Sequence, residues 1–191
     1  MTYYEGILIS FNKTLNTSAV GAEVSENHLQ LRLYHPSDTS KNLGIGSKFT
    51  FSLTKSLQLF YKASLTGYNE PNQSELSEDE VLKKDSYYYP KEATKTFFCE
   101  VKSIEEKKGI DKYGKLLLKS INAEIKYQKG EKKEYLTRDN PYLDSMVYAS
   151  RIPVAEKEQK EEIKNKVIKM LKNEDTELAK KIISSVEGER T

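Results

Sequence analysis

The sequence predicts a mainly β protein, an antiparallel sheet or small barrel with added helices and a short helical appendage. Three observations predict it. Four strand-like segments crowd into the first 55 residues, separated by two tight turns and one capped loop. Strand character returns between Thr94 and Tyr127. From Ala155 onward the chain turns helical and charge-dense, with nine basic and nine acidic residues among the last 37.

Taken in order, Tyr4–Phe11 is a short, partly β-branched apolar run, and Asn12–Asn16 reads as a turn. Ser18–Val24 is a second strand whose small residues permit close approach to the backbone. Ser25–Asn27 turns the chain into His28–Tyr34, where Leu29, Leu31 and Leu33 alternate with His28, Gln30, Arg32 and Tyr34. Pro36 stops that strand, Ser37 or Asp38 caps a short helix, and Gly44 ends it. Lys48–Leu53 alternates again, and Ser56–Leu65 reads as one helix.

Glu70–Glu92 is an acidic insertion carrying seven acids and three lysines, with Ser77 and Glu80 spaced as a capping box. Thr94–Ile104 and Lys115–Tyr127 are partners across a polar turn at Gly109–Gly114. Asn140 and Pro141 start a helix that runs to about Arg151, before Pro153. Two tail helices break at Asn173–Asp175, one with a stripe of Ile163, Val167 and Met170 or Leu171, the other with Leu178, Ile182 and Val186. Glu156–Lys160, Glu162–Lys166 and Glu177–Lys181 have the spacing of supporting ion pairs. The expected organisation is a barrel over residues 1–152 with the insertion at about 70–92, then a helical subdomain over 155–191.

Composition excludes several function classes. The 31 basic and 29 acidic residues give a net charge of +2, so nothing calls for nucleic acid or an anionic membrane. No apolar run approaches the roughly 18 residues of a spanning helix, and no leader pattern opens the chain, so a cytoplasmic protein is expected. One cysteine and two histidines give no disulfide framework and no metal site. Cys99, amid Phe97, Phe98 and Val101, reads as a packed, inert thiol. His28 reads as exposed, and His35 stands beside the capped loop. Tyr87–Tyr89 either anchors the insertion or covers a ligand, and Arg151 either reaches a phosphate or partner or caps its own helix. The tail reads as a bundle packed on the barrel, or as a docking element.

The most informative stretch is Leu31–Asn42. A strand there leads into a hydroxyl-rich loop and a helix start, with Ser37 and Thr39 as donors and Arg32 and Lys41 as charge, parts that suit a phosphate monoester. Leu31-Arg32-Leu33-Tyr34, Ser37-Asp38-Thr39-Ser40-Lys41-Asn42-Leu43, Leu57–Ala63, Met146–Arg151 and, loosely, Asn16–Gly21 occur in a telling order. In these the chain resembles the FMN-binding split-barrel superfamily, and more closely its archaeal and bacterial family named domain of unknown function 447. The match spans most of residues 3–152 and departs from the family pattern at Val20, Ser40 and Ser52.

The resemblance implies a six-stranded split barrel that forms a homodimer and binds FMN near the subunit interface. It implies that Ser37 and Thr39 hold the phosphate, Arg32 and Lys41 add charge, and Asn42 adds a cap or phosphate contact. Ser18, Ala19, Val20 and Gly21 would border the ring system, Ser52 would touch it, and Asp38 would repel the phosphate if turned inward. The activity implied is that of an FMN-dependent oxidoreductase or flavin reductase, with a nicotinamide nucleotide as electron donor. The alternative is a non-catalytic flavin-binding or interaction module, or one that has lost flavin. No side chain announces itself as a catalytic acid or base.

Overall fold

The computed structural model describes residues 1–34, 37–66, 75–111, 114–131 and 134–188. Among them are eight strands: β1 (Thr2–Asn12), β2 (Thr14–Val24), β3 (His28–Tyr34), β4 (Lys48–Leu53), β5 (Val81–Lys84), β6 (Tyr87–Pro90), β7 (Lys95–Asp111) and β8 (Gly114–Gly130). Six of them close an antiparallel barrel in the order β1-β2-β3-β8-β7-β4, with β4 returning to pair with β1. The alternating strands face as expected: Leu29, Leu31, Leu33, Phe49, Phe51 and Leu53 all point into the barrel, packed with Leu8, Phe97, Cys99, Val101 and Ile121. Burial pushes the Cys99 thiol well above the ordinary thiol range, so it packs as an inert apolar group.

β1 is apolar on both faces, which is why its sequence runs without alternation. Leu8 faces the barrel, whereas Ile7 and Ile9 face outward into a second core. The turn expected over Asn12–Asn16 shrinks to Lys13, which stands alone at φ 69° between the paired Asn12 and Thr14. Thr14, Leu15 and Thr17 continue the ladder instead, as β-branched and apolar residues favour. β7 and β8 also exceed their expected lengths, and two register shifts, at Phe98/Cys99 and Val101/Ser103, bend the pair around the barrel.

The helices are α1 (Asp38–Asn42), α2 (Leu57–Tyr61), α3 (Pro141–Ala149), α4 (Lys157–Leu171) and α5 (Glu177–Glu187). The helix expected over Ser56–Leu65 is α-helical only through Tyr61 and continues as a π-helical turn over Lys62–Thr66. Within that turn the Ser64 and Thr66 hydroxyls donate to the carbonyls of Phe60 and Lys62, both at 2.7 Å, which loosens the α ladder. Asn140 caps α3 by accepting the Tyr142 and Leu143 N–H groups, with Pro141 in the first turn.

The outer core gathers Ile7 and Ile9 with Phe60, Leu143 and Met146, and with Ile163, Val167, Leu171, Ile182 and Val186 of the two tail helices. Leu171, not Met170, completes the α4 stripe. The tail's ion pairs include Glu161–Lys164 and Glu177–Lys180, one residue closer than the spacing read from sequence, and Lys166 lies 3.7 Å over the Tyr148 ring.

The insertion is described from residue 75 onward. Ser77 and Glu80 form their capping box around a 3-10 turn, and β5 pairs with β6 as a hairpin. Tyr87 and Tyr89 are buried edge-on against Phe98, so the tyrosine run anchors the hairpin to the outside of β7. Glu70 and His35 lie outside the described residues. Among the described residues no helix is long and apolar enough to cross a membrane.

Candidate functional site

A cleft of about 470 Å³ opens on the outer face of the barrel, within the size range of small-molecule sites. Its floor is the outer face of β1, β2 and β3, with Glu5, Ala19, Gly21 and Arg32. The apolar side of α3 forms one wall through Leu143, Met146 and Val147, and the π-helical turn contributes Ala63 and Ser64. Ser37 and Thr39 of the α1 turn also line it.

Of the residues singled out from sequence, the cleft brings together Ser18, Ala19, Val20, Gly21, Arg32, Ser37 and Thr39. Three lie elsewhere. Lys41 is exposed and bonds Asp38 at 2.9 Å, so those two charges answer each other on the solvent side of α1. Asp38 therefore does not point at an anion in the cleft. Asn42 ends α1 and is not on the lining. Ser52 sits opposite Ile7 in the β1–β4 ladder, fully buried, and its hydroxyl shares a 3.0 Å hydrogen bond with Thr96. It is not on the cleft lining.

The hydroxyls divide their work. Ser37 accepts the Ser40 N–H as N-cap, which leaves its own proton to donate. Thr39 is nearly buried; it donates to the Asn16 side chain at 3.0 Å and shares a very short contact with the Ser18 hydroxyl. Thr39 thus fastens α1 to β2. Arg32 is largely exposed and bonds Glu23 at 3.2 Å across the floor.

Three functional candidates carried no signal in the sequence: Tyr3, Glu5 and Arg138. Glu5 is buried and accepts from Tyr3 at 2.9 Å and from Arg138 Nε at 2.8 Å, while Arg138 also bonds Asp144 at 2.7 Å. Arg138 and Glu5 are 133 residues apart, so no local spacing marks them. Burial works against the charge on Arg138, but its bonds to Glu5 and Asp144 outweigh that and raise its pKa. A Cβ on Gly21 would stand 1.9 Å from the Tyr3 hydroxyl, so the missing side chain is what lets the phenol lie across the floor.

Burial and then the charge of Glu5 push the Tyr3 phenol up to about 12. A folded-state value above the unfolded one, about 10, stabilises the fold below the unfolded value. That stability is lost as pH rises through about 12. An alkaline absorbance titration of Tyr3→Phe should show a smaller late-ionising amplitude than the parent protein. Equal amplitudes would remove Tyr3 from the buried network.

The comparisons with known proteins bear on family and fold. A family model described as Protein of unknown function (DUF447) N-terminal domain matches residues 4–114. No curated protein matches the sequence. Among solved structures, an FMN-bound protein from Methanosarcina mazei of that family superposes with a TM-score of 0.67 at 16% identity, covering 98% of this chain and 95% of its own. Flavoredoxin from Methanosarcina acetivorans gives 0.52 at 16% identity over 69% of this chain and 70% of its own. The NADH:FAD oxidoreductase of Streptomyces globisporus gives 0.54 at 8% identity over 68% and 75%. At these identities the likeness is one of fold, that of the FMN-binding split barrels.

Proposed function

The chain belongs to the DUF447 N-terminal-domain family, and from that premise we propose that it binds FMN in the outer-face cleft. The observation that supports this most is the meeting, in one cleft, of the small-residue strand Ser18–Gly21, the Ser37 hydroxyl and three guanidinium groups, those of Arg32, Arg138 and Arg151. Arg32 pairs with Glu23 of the lining, and Arg138 with Glu5 and with Asp144 behind it. Such a lining suits a flat heterocycle carrying a phosphate.

Each group then has a task. Ser37 donates to a phosphate oxygen, and Arg32, whose surface pair with Glu23 is weak, supplies charge. The backbone of Ser18–Gly21 borders the ring edge, with the Tyr3 phenol lying over Gly21. Leu143, Met146 and Val147 cover the ring's apolar part and exclude water from that side. When bound, FMN supplies hydride and single-electron chemistry. Glu5 and Glu23 are both engaged, so the protein's part is position and field rather than acid or base catalysis. The reading extends to a homodimer whose second copy borders the cleft. It extends also to a nicotinamide nucleotide as reductant, in line with the NADH:FAD oxidoreductase of the same fold.

The test is a titration of FMN into the apoprotein, followed by flavin fluorescence. Micromolar or tighter binding is expected, and none would sink the reading. Ser37→Ala should weaken binding by about 1 kcal/mol, one hydrogen bond's worth. Thr39→Val should cost a similar amount by loosening α1 from β2. Unchanged affinity in both would place the phosphate elsewhere. Anaerobic mixing of the loaded protein with NADH or NADPH then separates the two roles: bleaching supports an oxidoreductase, and no bleaching supports a binding module.

A further inference from the structure

We propose that Lys119 of β8 is a positioning residue that makes the cleft selective for a phosphorylated flavin. This rests on the reading of the cleft as an FMN site. Lys119 stands opposite Leu33 in the β3–β8 ladder. Its ammonium reaches over the end of the barrel and donates to two carbonyls of the α1 turn, Ser40 O at 2.6 Å and Leu43 O at 2.7 Å. Those are groups that the end of a helix leaves without intrahelical donors, and the positive charge meets the negative end of the helix dipole.

The contact matters because α1 has five residues. A helix that short has no stability of its own in water, so its place is set by what holds it. Side-chain bonds hold it at each end. At its start, Thr39 joins Ser18 and Asn16 of β2. At its finish, Lys119 clamps the last carbonyls from β8. Ser37, whose hydroxyl keeps a proton to offer the cleft, rides on this turn as its cap. If the Lys119 clamp is released, the turn can shift, and a donor displaced by a fraction of its bond length loses most of that bond. Lys119 itself does not line the cleft, so its influence on a ligand runs through α1.

The phosphate is the part of the ligand that α1 would serve, so the test compares FMN with riboflavin. Lys119→Met keeps the length and packing of the stem and removes all three donors. It should weaken FMN by about tenfold or more while riboflavin affinity stays within about threefold. Lys119→Arg, which keeps donors within reach of the carbonyls, should restore most of the preference. If Lys119→Met does not fold, Lys119→Gln provides the same comparison with the charge removed and an amide too short to span both carbonyls.

Loss of both affinities together, or of neither, would overturn the proposal, because a structural role alone has no reason to discriminate between the two flavins. A parent protein that binds riboflavin as tightly as FMN would overturn it as well. A parent protein that binds neither fails the FMN reading itself, which distinguishes that failure from the failure of the Lys119 role.

Discussion

Replacing Arg138 by Met should destabilise the protein by about 2–4 kcal/mol, measured by urea unfolding. The reason lies with the partner left behind. Glu5 is 6% exposed, and without Arg138 it keeps a buried charge with the Tyr3 hydroxyl left to answer it. Breaking a fully buried pair costs about 3–5 kcal/mol. The guanidinium here is 37% exposed, and water screens part of the interaction, which lowers the expected figure. The double variant Glu5→Gln/Arg138→Met should recover part of the loss, because it removes the stranded charge. A loss below about 1 kcal/mol in the single variant would mean that water already shares the pair. Arg138 also ties the segment before α3 to β1 through Glu5, so the same change should loosen the cleft wall and weaken FMN.

Gly6→Ala should cost about 2–3 kcal/mol by overpacking. Gly6 faces Val20 in the β1–β2 ladder, and a Cβ there would stand 2.5 Å from the Phe51 ring and 2.7 Å from the Ser52 carbonyl oxygen. Phe51 is fully buried inside the barrel, so its ring has no free volume to enter. A methyl group on Gly46 would meet nothing within 4 Å, but the residue holds φ at +81°. Gly46→Ala should therefore cost about 1–2 kcal/mol through backbone strain alone. Phe51→Leu should relieve Gly6→Ala and leave Gly46→Ala unaffected. Equal rescue of both would show that steric conflict at Phe51 is not the cause.

The parts of the fold that sequence made legible are those governed by local periodicity. β3 and β4 alternate strictly because one face meets the barrel core, and their limits and facing follow from that alternation. The caps at Ser37 and Asn140 were legible from residue type, and the two tail stripes from their period. The place of the β1–β2 turn was legible but its length was not, because one residue in a left-handed conformation suffices to reverse the chain. Nor was the π-helical turn, which depends on where two hydroxyls donate.

The site divides the same way. Ser18–Gly21, Arg32, Ser37 and Thr39 lie on contiguous segments whose order could be read. Lys41 lies off the cleft, paired with Asp38 three residues away on the outer side of the same turn. Ser52 lies off the cleft because a polar residue on a strand's outer face is not thereby exposed. Glu5, Arg138 and Lys119 act across the fold, and nothing near them in sequence signals a partner.

The double-sided burial of β1 bears on how the protein is made. Its inward Leu8 finds partners as soon as β2 to β4 have left the ribosome. Its outward Ile7 and Ile9 share their core with Leu143, Met146, Ile163 and Ile182, which are synthesised far later. The nascent barrel therefore carries a bare apolar strip until the final helices emerge. During that interval the strip is a natural surface for chaperone capture or for unwanted association with other nascent chains.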